Sequence, residues 1–204
     1  MSSNSSTVYG HFDIEADGPS PGTSNMLSVA FVFTNQIGET LDEMLIDIQP
    51  RLGFPGNADT KLWWSHPDRI TEYNRILKNG INPIDAMKAI NDKIEEVMSK
   101  NKVKRITWVA RPAAYDWMWL KCYSDMYKIH NPNALDLGFS ATCTSTMRDI
   151  WKAQNSISGT KAEEIFQEWA KELKMTHNAL DDSRFQATIF HKLQSELASF
   201  SRKS

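Results

Sequence analysis

The chain has 204 residues, 41% of them hydrophobic and 24% charged, which supplies one core and excludes disorder along most of the length. Lys and Arg total 23 against 25 Asp and Glu, a formal charge of −2, so a generally basic nucleic-acid coat is excluded and any such contact must be local. Two cysteines, Cys122 and Cys143, are too few for a disulfide framework or a cysteine zinc site.

The apolar run Met26–Phe33 is too short to span a bilayer, and the N-terminus lacks the basic and apolar regions of a signal peptide. A cytoplasmic, reducing location without a membrane partner is therefore expected. Residues 1–7 read as a polar tail, 8–200 as a single domain, and 201–204 as a short C-terminal tail.

From Val8 to Ala16 small and apolar residues alternate with Tyr9, His11, Asp13 and Glu15, the pattern of a strand with two acids on one face. After the turn cluster Asp17–Gly22, Met26–Thr34 and Thr40–Ile48 read as two further strands, and the short turns between them suggest an antiparallel meander. His66-Pro67 opens a helix carrying Ile70, Tyr73 and Leu77, and Asn82-Pro83 opens another with Ile84, Met87, Ile90, Ile94 and Val97 on one face. Val103–Ala110 returns to strand character, and Ala114–Tyr127 reads as an aromatic-rich helix. A short helix is placed near Thr146–Gln154. Thr160-x-x-Glu163 has the form of a capping box before Ile165, Phe166, Trp169 and Leu173, and Asp181–Phe200 is the last helix. The order fits an α/β domain with a mixed sheet.

Acids in three segments stand out against this frame. Asp13 and Glu15 lie about 6.6–6.8 Å apart on the same side of a strand, where like charges repel unless a cation lies between them or one is protonated. Asp116 begins the stripe Asp116, Trp119, Leu120, Tyr123, and so faces the core side of its helix. Asp182 heads the stripe Phe185, Ile189, Leu193, whereas Asp181 lies about 100° around the helix. His177 falls in the loop just before. Taken singly, each has an ordinary reading as a solvent-facing or helix-start residue. Four inward acids from three separated segments, however, can surround divalent metal, and oxygen-only ligands favour Mg²⁺ or Mn²⁺ over zinc. Two such ions can hold the attacking and leaving oxygens of a phosphodiester.

These residues carry a resemblance. Phe12-Asp13-Ile14-Glu15 resembles the first motif of the ribonuclease-H-like DEDD exonucleases, Ala114-Tyr115-Asp116-Trp117 the second, and His177-x-x-x-x-Asp182 the third in its DEDDh form. The order and spacing also match, from Val8 to about Leu197, and the chain is similar to ribonuclease-T-like, DnaQ-type 3′-to-5′ exonucleases. The resemblance implies a ribonuclease-H-like fold with a central five-stranded mixed sheet, its first three strands antiparallel, flanked by helices. It implies two ions held by Asp13, Glu15, Asp116 and Asp182, with Asp13 bridging them and Asp116 acting partly through water, and His177 as general base. The chain departs from many relatives at Ala16-Asp17-Gly18, where Asp17 either adds charge beside the site or turns outward.

Candidate substrate contacts are Trp63 and Trp64 as a stacking wall, Trp117 beside Asp116, Met26 and Leu27 as apolar wedges, and Arg111 toward a phosphate. Core packing is the alternative for the aromatic and apolar residues, and is the expectation for one of the two tryptophans and for Leu27. Lys102, Lys104 and Arg105 read as a solvated flank, His11 as a satisfied strand histidine, and His66, His130 and His191 as residues without evident partners. The resulting expectation is a metal-dependent 3′-to-5′ exonuclease acting on single-stranded nucleic acid, with RNA or short oligonucleotides favoured by analogy. DNA trimming or proofreading is the alternative within that chemistry, and a silent binding module of the same fold is the alternative outside it. A homodimer is expected from relatives only.

Overall fold

The alternation in Tyr9–Ala16 makes strand β1, which the computed structural model, describing residues 7–200, places at the centre of a five-stranded sheet. β2 (Met26–Thr34) pairs antiparallel with β1, and β3 (Thr40–Asp47) antiparallel with β2. β4 (Thr107–Ala110) joins the other edge of β1 in parallel, and the two-residue β5 (Thr142–Cys143) follows it, giving the order β3-β2-β1-β4-β5. The fold is α/β, with a mixed sheet whose first three strands are antiparallel. Apart from Thr7, the expected tails fall outside the described residues.

Seven helices flank the sheet among the described residues: α1 (Ala58–Trp64), α2 (Ile70–Asn79), α3 (Pro83–Asn101), α4 (Ala113–His130), α5 (Thr144–Asn155), α6 (Gly159–Trp169) and α7 (Ala179–Phe200). None is long and apolar enough to cross a membrane. Asn82 caps α3 by accepting from the Ile84 amide with Pro83 in the first turn, as its sequence predicts. His66-Pro67 opens no helix: α2 begins at Ile70, and α1 ends just before the turn. Nor does Thr160 cap α6. Ser158 accepts from the Lys161 amide instead, and Glu163 is drawn away to Arg148. β4 is shorter than expected because α3 runs to Asn101 and closes on Lys102 at φ 54°.

The period-2 geometry of β1 sorts its side chains between two layers. Phe12 and Ile14 join Phe31 and Phe33 of β2 in the larger core, against Ile90 and Ile94 of α3 and Trp119 and Leu120 of α4. His11 and Asp13 face α7: the His11 ring lies 5.1 Å from Phe190, and Gln186 reaches Asp13. Phe185, Ile189 and Leu193 of α7 then pack on Trp151 of α5 and Phe166 of α6. The site acids thus come to lie between the central strand and its covering helix.

His11 is only partly satisfied, against expectation: Nε2 lies 3.0 Å from the Thr34 hydroxyl, but the buried Nδ1 has no hydrogen-bond partner. That hydroxyl is also 2.8 Å from His191 Nε2, so His191 does have a partner. His66 has one as well, with Nδ1 3.2 Å from an Asp68 carboxylate oxygen.

Gly10 allows β1 to pass close over its neighbour, since a Cβ there would lie 2.6 Å from the Trp108 ring and 2.7 Å from an Ile106 methyl. Gly10→Ala is expected to cost about 1–3 kcal/mol by overpacking, measured by urea unfolding. An unchanged midpoint would mean that Trp108 moves freely.

Candidate active site

β1 and β4 are paired only as far as His11↔Val109. Beyond that point the free Ile14 amide donates to Asp116 Oδ1 at 3.3 Å, which draws the first turn of α4 onto the strand. Asp13 Oδ1 accepts from Gln186 Nε2 at 2.7 Å, joining β1 to α7. Asp182 Oδ1 accepts from the Thr176 amide at 2.8 Å, and its carboxylate also accepts from the His177 amide. Its anchors therefore belong to the loop that carries His177. Directly after Glu15 the β1–β2 register shifts by a bulge, a device that ends pairing and re-aims side chains beside functional groups.

The four acids converge. All are buried, and Asp13 feels the charges of Asp116, Glu15 and Asp182. Burial first, and then this mutual repulsion, hold the carboxyls of Asp13 and Glu15 well above their ordinary range. Burial also raises Asp116, against the opposing Ile14 hydrogen bond. Asp182 is pushed up to about 6 by burial, with the Thr176 and His177 amides opposing. One ligand atom each from Glu15, His177 and Asp182 lie within 4.8 Å of one another. Asp116 Oδ2 is buried without a hydrogen-bond partner, an acceptor lone pair left with no donor. Buried carboxylates, one with an orphaned oxygen, beside a single imidazole fit a divalent cation.

His177 sits in the left-handed region at φ 60°, which few non-glycine residues adopt and which recurs at functional sites. Its ring packs edge-on against Trp63 with centroids 4.9 Å apart, and Arg69 lies 4.1 Å over the Trp63 ring. Burial, and then the Arg69 charge, lower the imidazole's pKa. The next residue, Asn178, caps α7 through the Leu180 amide and donates to Glu72 of α2 at 2.9 Å. Arg75 clamps Glu72 and also reaches Asp47, which accepts from Ser28 of β2. The histidine loop is thereby tied back to the sheet.

The proposed substrate contacts separate into two groups. Met26 and Leu27 are fully buried in β2 and present no wedge, and Trp64 is buried with its Nε1 donating to the Ala16 carbonyl. Trp117 packs toward Phe12 and Trp108. Met26, Leu27 and Trp64 are core residues, as expected for Leu27 and for one of the two tryptophans and a correction for Met26, whose side chain has no exposed surface to offer, while Trp117 is half-buried. Trp63 is 39% exposed, and Arg111 is half-exposed near Asp182, whose charge it offsets. Asp17 neither faces the site nor turns outward. It is buried and accepts from the Asn25 amide at 2.6 Å and from Asn25 Nδ2 at 2.7 Å. Gly56, at φ +73°, leaves the room this requires. Gln186 escaped the sequence reading, although its place four residues after Asp182 on one helix face was a usable signal.

Residues 10–194 match the 3′-5′ exoribonuclease Rv2179c-like domain. The chain belongs to this family. It is 26% identical over 189 residues to the 3′-5′ DNA exonuclease Cap18 of Escherichia coli, an alignment covering 90% of this chain and 89% of that protein. Exonuclease I from Methylocaldum szegediense is similar in structure, with a TM-score of 0.67 at 13% identity, over 96% of this chain and 42% of its own. S. pombe Pop2p in its Mg²⁺- and Mn²⁺-bound form gives 0.54 at 12%, over 93% and 82%. These likenesses show the ribonuclease-H-like fold, and family membership makes the chain a 3′-5′ exonuclease.

The burial of Asp182 sets a pH dependence. With Asp182 near 6 when folded and an ordinary value of 3.8, the folded exonuclease binds more protons than the unfolded chain between these values. The metal-free protein should therefore lose stability as pH rises through that window. Mn²⁺ is expected to raise Tm more at pH 8 than at pH 5, since protons compete for the same oxygens. Asp116→Asn should raise the metal-free Tm and shrink the Mn²⁺ gain. Calorimetric scans of both proteins at both pH values check this, and equal Mn²⁺ gains at pH 5 and 8 would count against the acid cluster as the binding site.

Proposed function

We propose that the protein removes nucleotides from the 3′ end of single-stranded RNA, with Asp13, Glu15, Asp116 and Asp182 holding two divalent ions, Mg²⁺ or Mn²⁺, and His177 as general base. The observation that carries this reading is a group of four buried carboxyls close enough to feel one another's charge, with the half-buried His177 imidazole within 4.8 Å of Glu15 and Asp182. RNA is supported by the family's description as exoribonucleases. DNA is the second reading, favoured by the similarity to Cap18.

When bound, the ions supply Lewis-acid stabilisation of charge at the scissile phosphate. The protein supplies placement and proton handling. Gln186 fixes Asp13, the Ile14 amide fixes Asp116, and the Thr176 and His177 amides fix Asp182, so the acids enter the reaction already oriented. Burial and Arg69 keep His177 neutral near pH 7, leaving a ring nitrogen free to take the proton of the attacking water. The water oxygen bonds to phosphorus, the bond to the leaving sugar oxygen breaks, and that oxygen takes a proton from solvent.

Purified protein should be inactive in EDTA and recover with Mg²⁺ or Mn²⁺. Oligonucleotides blocked at the 3′ end should resist digestion, while a 5′ block should matter little. Labelled RNA and DNA strands of one sequence, digested side by side, decide between the two substrates. Comparable cutting of a circular single strand would mean endonucleolytic cleavage and overturn the exonuclease assignment.

His177→Ala is expected to lower the single-turnover rate roughly 10²–10⁴-fold, with a much smaller change in Mn²⁺ affinity by calorimetry. Asp182→Asn should weaken both and Asp181→Asn neither. Loss of Mn²⁺ binding in His177→Ala comparable to that in Asp182→Asn would make the imidazole a ligand instead of a base.

A further inference from the structure

A second polar feature lies on the α5–α6 side of the acid cluster. α5 and α6 enclose a cavity of about 150 Å³ whose walls include Arg111, Ser145, Arg148 and Lys152. Two carboxylates, Asp149 and Glu163, also line it. Lys152 and Asp149 pair with each other at 2.6 Å, and Arg148 pairs with Glu163. Arg111 forms no ion pair among the described residues, and with Arg148 and Lys152 against two carboxylates the cavity lining carries a net positive charge.

Arg148 is the unusual member. It is 95% buried (5% exposed), with its guanidinium stacked 4.0 Å over the Phe166 ring and Nη2 given to Glu163. Its Nη1 is buried and has no hydrogen-bond partner. A buried guanidinium with an unmet donor is costly unless something completes it. The planar fork of arginine suits a phosphate oxygen in particular. The cavity is smaller than the roughly 300–1,000 Å³ of sites that enclose whole small molecules, so it has room for a phosphate group and not for a base with its sugar. Arg111 links it to the acid cluster, standing between β4 and α4 and acting electrostatically on both Asp182 and Arg148.

We propose that this cavity is a phosphate subsite, in which Arg148 and Arg111, with the Ser145 hydroxyl, hold one backbone phosphate of the substrate strand away from the scissile bond. This deepens the exonuclease reading and rests on it, but the test reads binding alone. Fluorescent single strands carrying one neutral methylphosphonate at successive positions are titrated into the full-length protein in EDTA, by anisotropy. For the wild type, neutralising one particular internal phosphate should weaken binding about 10- to 100-fold.

Arg148→Lys, which keeps the charge but loses the fork, should bind the unmodified strand correspondingly more weakly and become indifferent to the methylphosphonate at that position. Arg111→Ala, at a half-exposed residue, keeps the test readable should Arg148→Lys fold poorly. It should show the same indifference and lower the salt slope of binding by about 0.7. If the variants lose affinity but stay as sensitive as the wild type at every position, the subsite is wrong and the residues are merely structural. A flat methylphosphonate scan together with Tm stabilisation by inorganic phosphate, lost in Arg148→Lys, would assign the cavity to free phosphate and overturn the strand contact. Failure of the exonuclease reading shows separately, as absent turnover with Mg²⁺ in a protein whose binding scan is unaffected.

Discussion

Four carboxyls that repel one another are held within one pocket, and much of the architecture answers that repulsion. An isolated strand bearing Asp13 and Glu15 would turn both toward water. Here β1 is the central strand and α7 covers its acidic side, so the side chains have no such exit. Three of the four are then given a neutral donor in place of a lysine or arginine: a glutamine amide for Asp13 and backbone amides for Asp116 and Asp182. Neutral donors orient a carboxylate without cancelling its charge. The cluster therefore remains electrostatically hungry, and its attraction is directed toward cations from outside.

The cationic side chains nearby follow the same division. Arg75 is spent on Glu72 and Asp47, where it fixes the scaffold behind the histidine loop. Arg69 lies on Trp63, and Arg148 is folded over Phe166. Arg111 offsets the charge of Asp182 from the edge of the acid cluster. Full neutralisation of the acids by arginine would have closed the site to metal.

Much of this was legible in the sequence because it rests on periodicity. The period-2 pattern fixed which face of β1 carries Asp13 and Glu15, and the 3.6-residue stripes turned Asp116 and Asp182 inward. What escaped has physical causes as well. α1 is seven residues long and buries only Trp64, so it has no apolar stripe to find. β5 is two residues, below any pattern. Ser158 outcompeted Thr160 as a cap because Glu163, the other half of the expected box, is engaged by Arg148. Met26 was indistinguishable from a surface wedge without knowing that β2 lies between two strands. Gln186 carries no charge to attract notice, and its role depends on a contact 173 residues away.

That last separation bears on how the protein is made. Asp13 emerges early in synthesis, yet the helix that orients it and supplies Asp182 is the last element in the described chain. Sheet strands β1 to β3 are local in sequence and can pair while translation continues, but no assembled site exists until α7 docks. A chain lacking α7 would leave Asp13 without its Gln186 donor and its strand face uncovered, and would carry no Asp182, so the acid cluster is a product of long-range docking and not of any local segment.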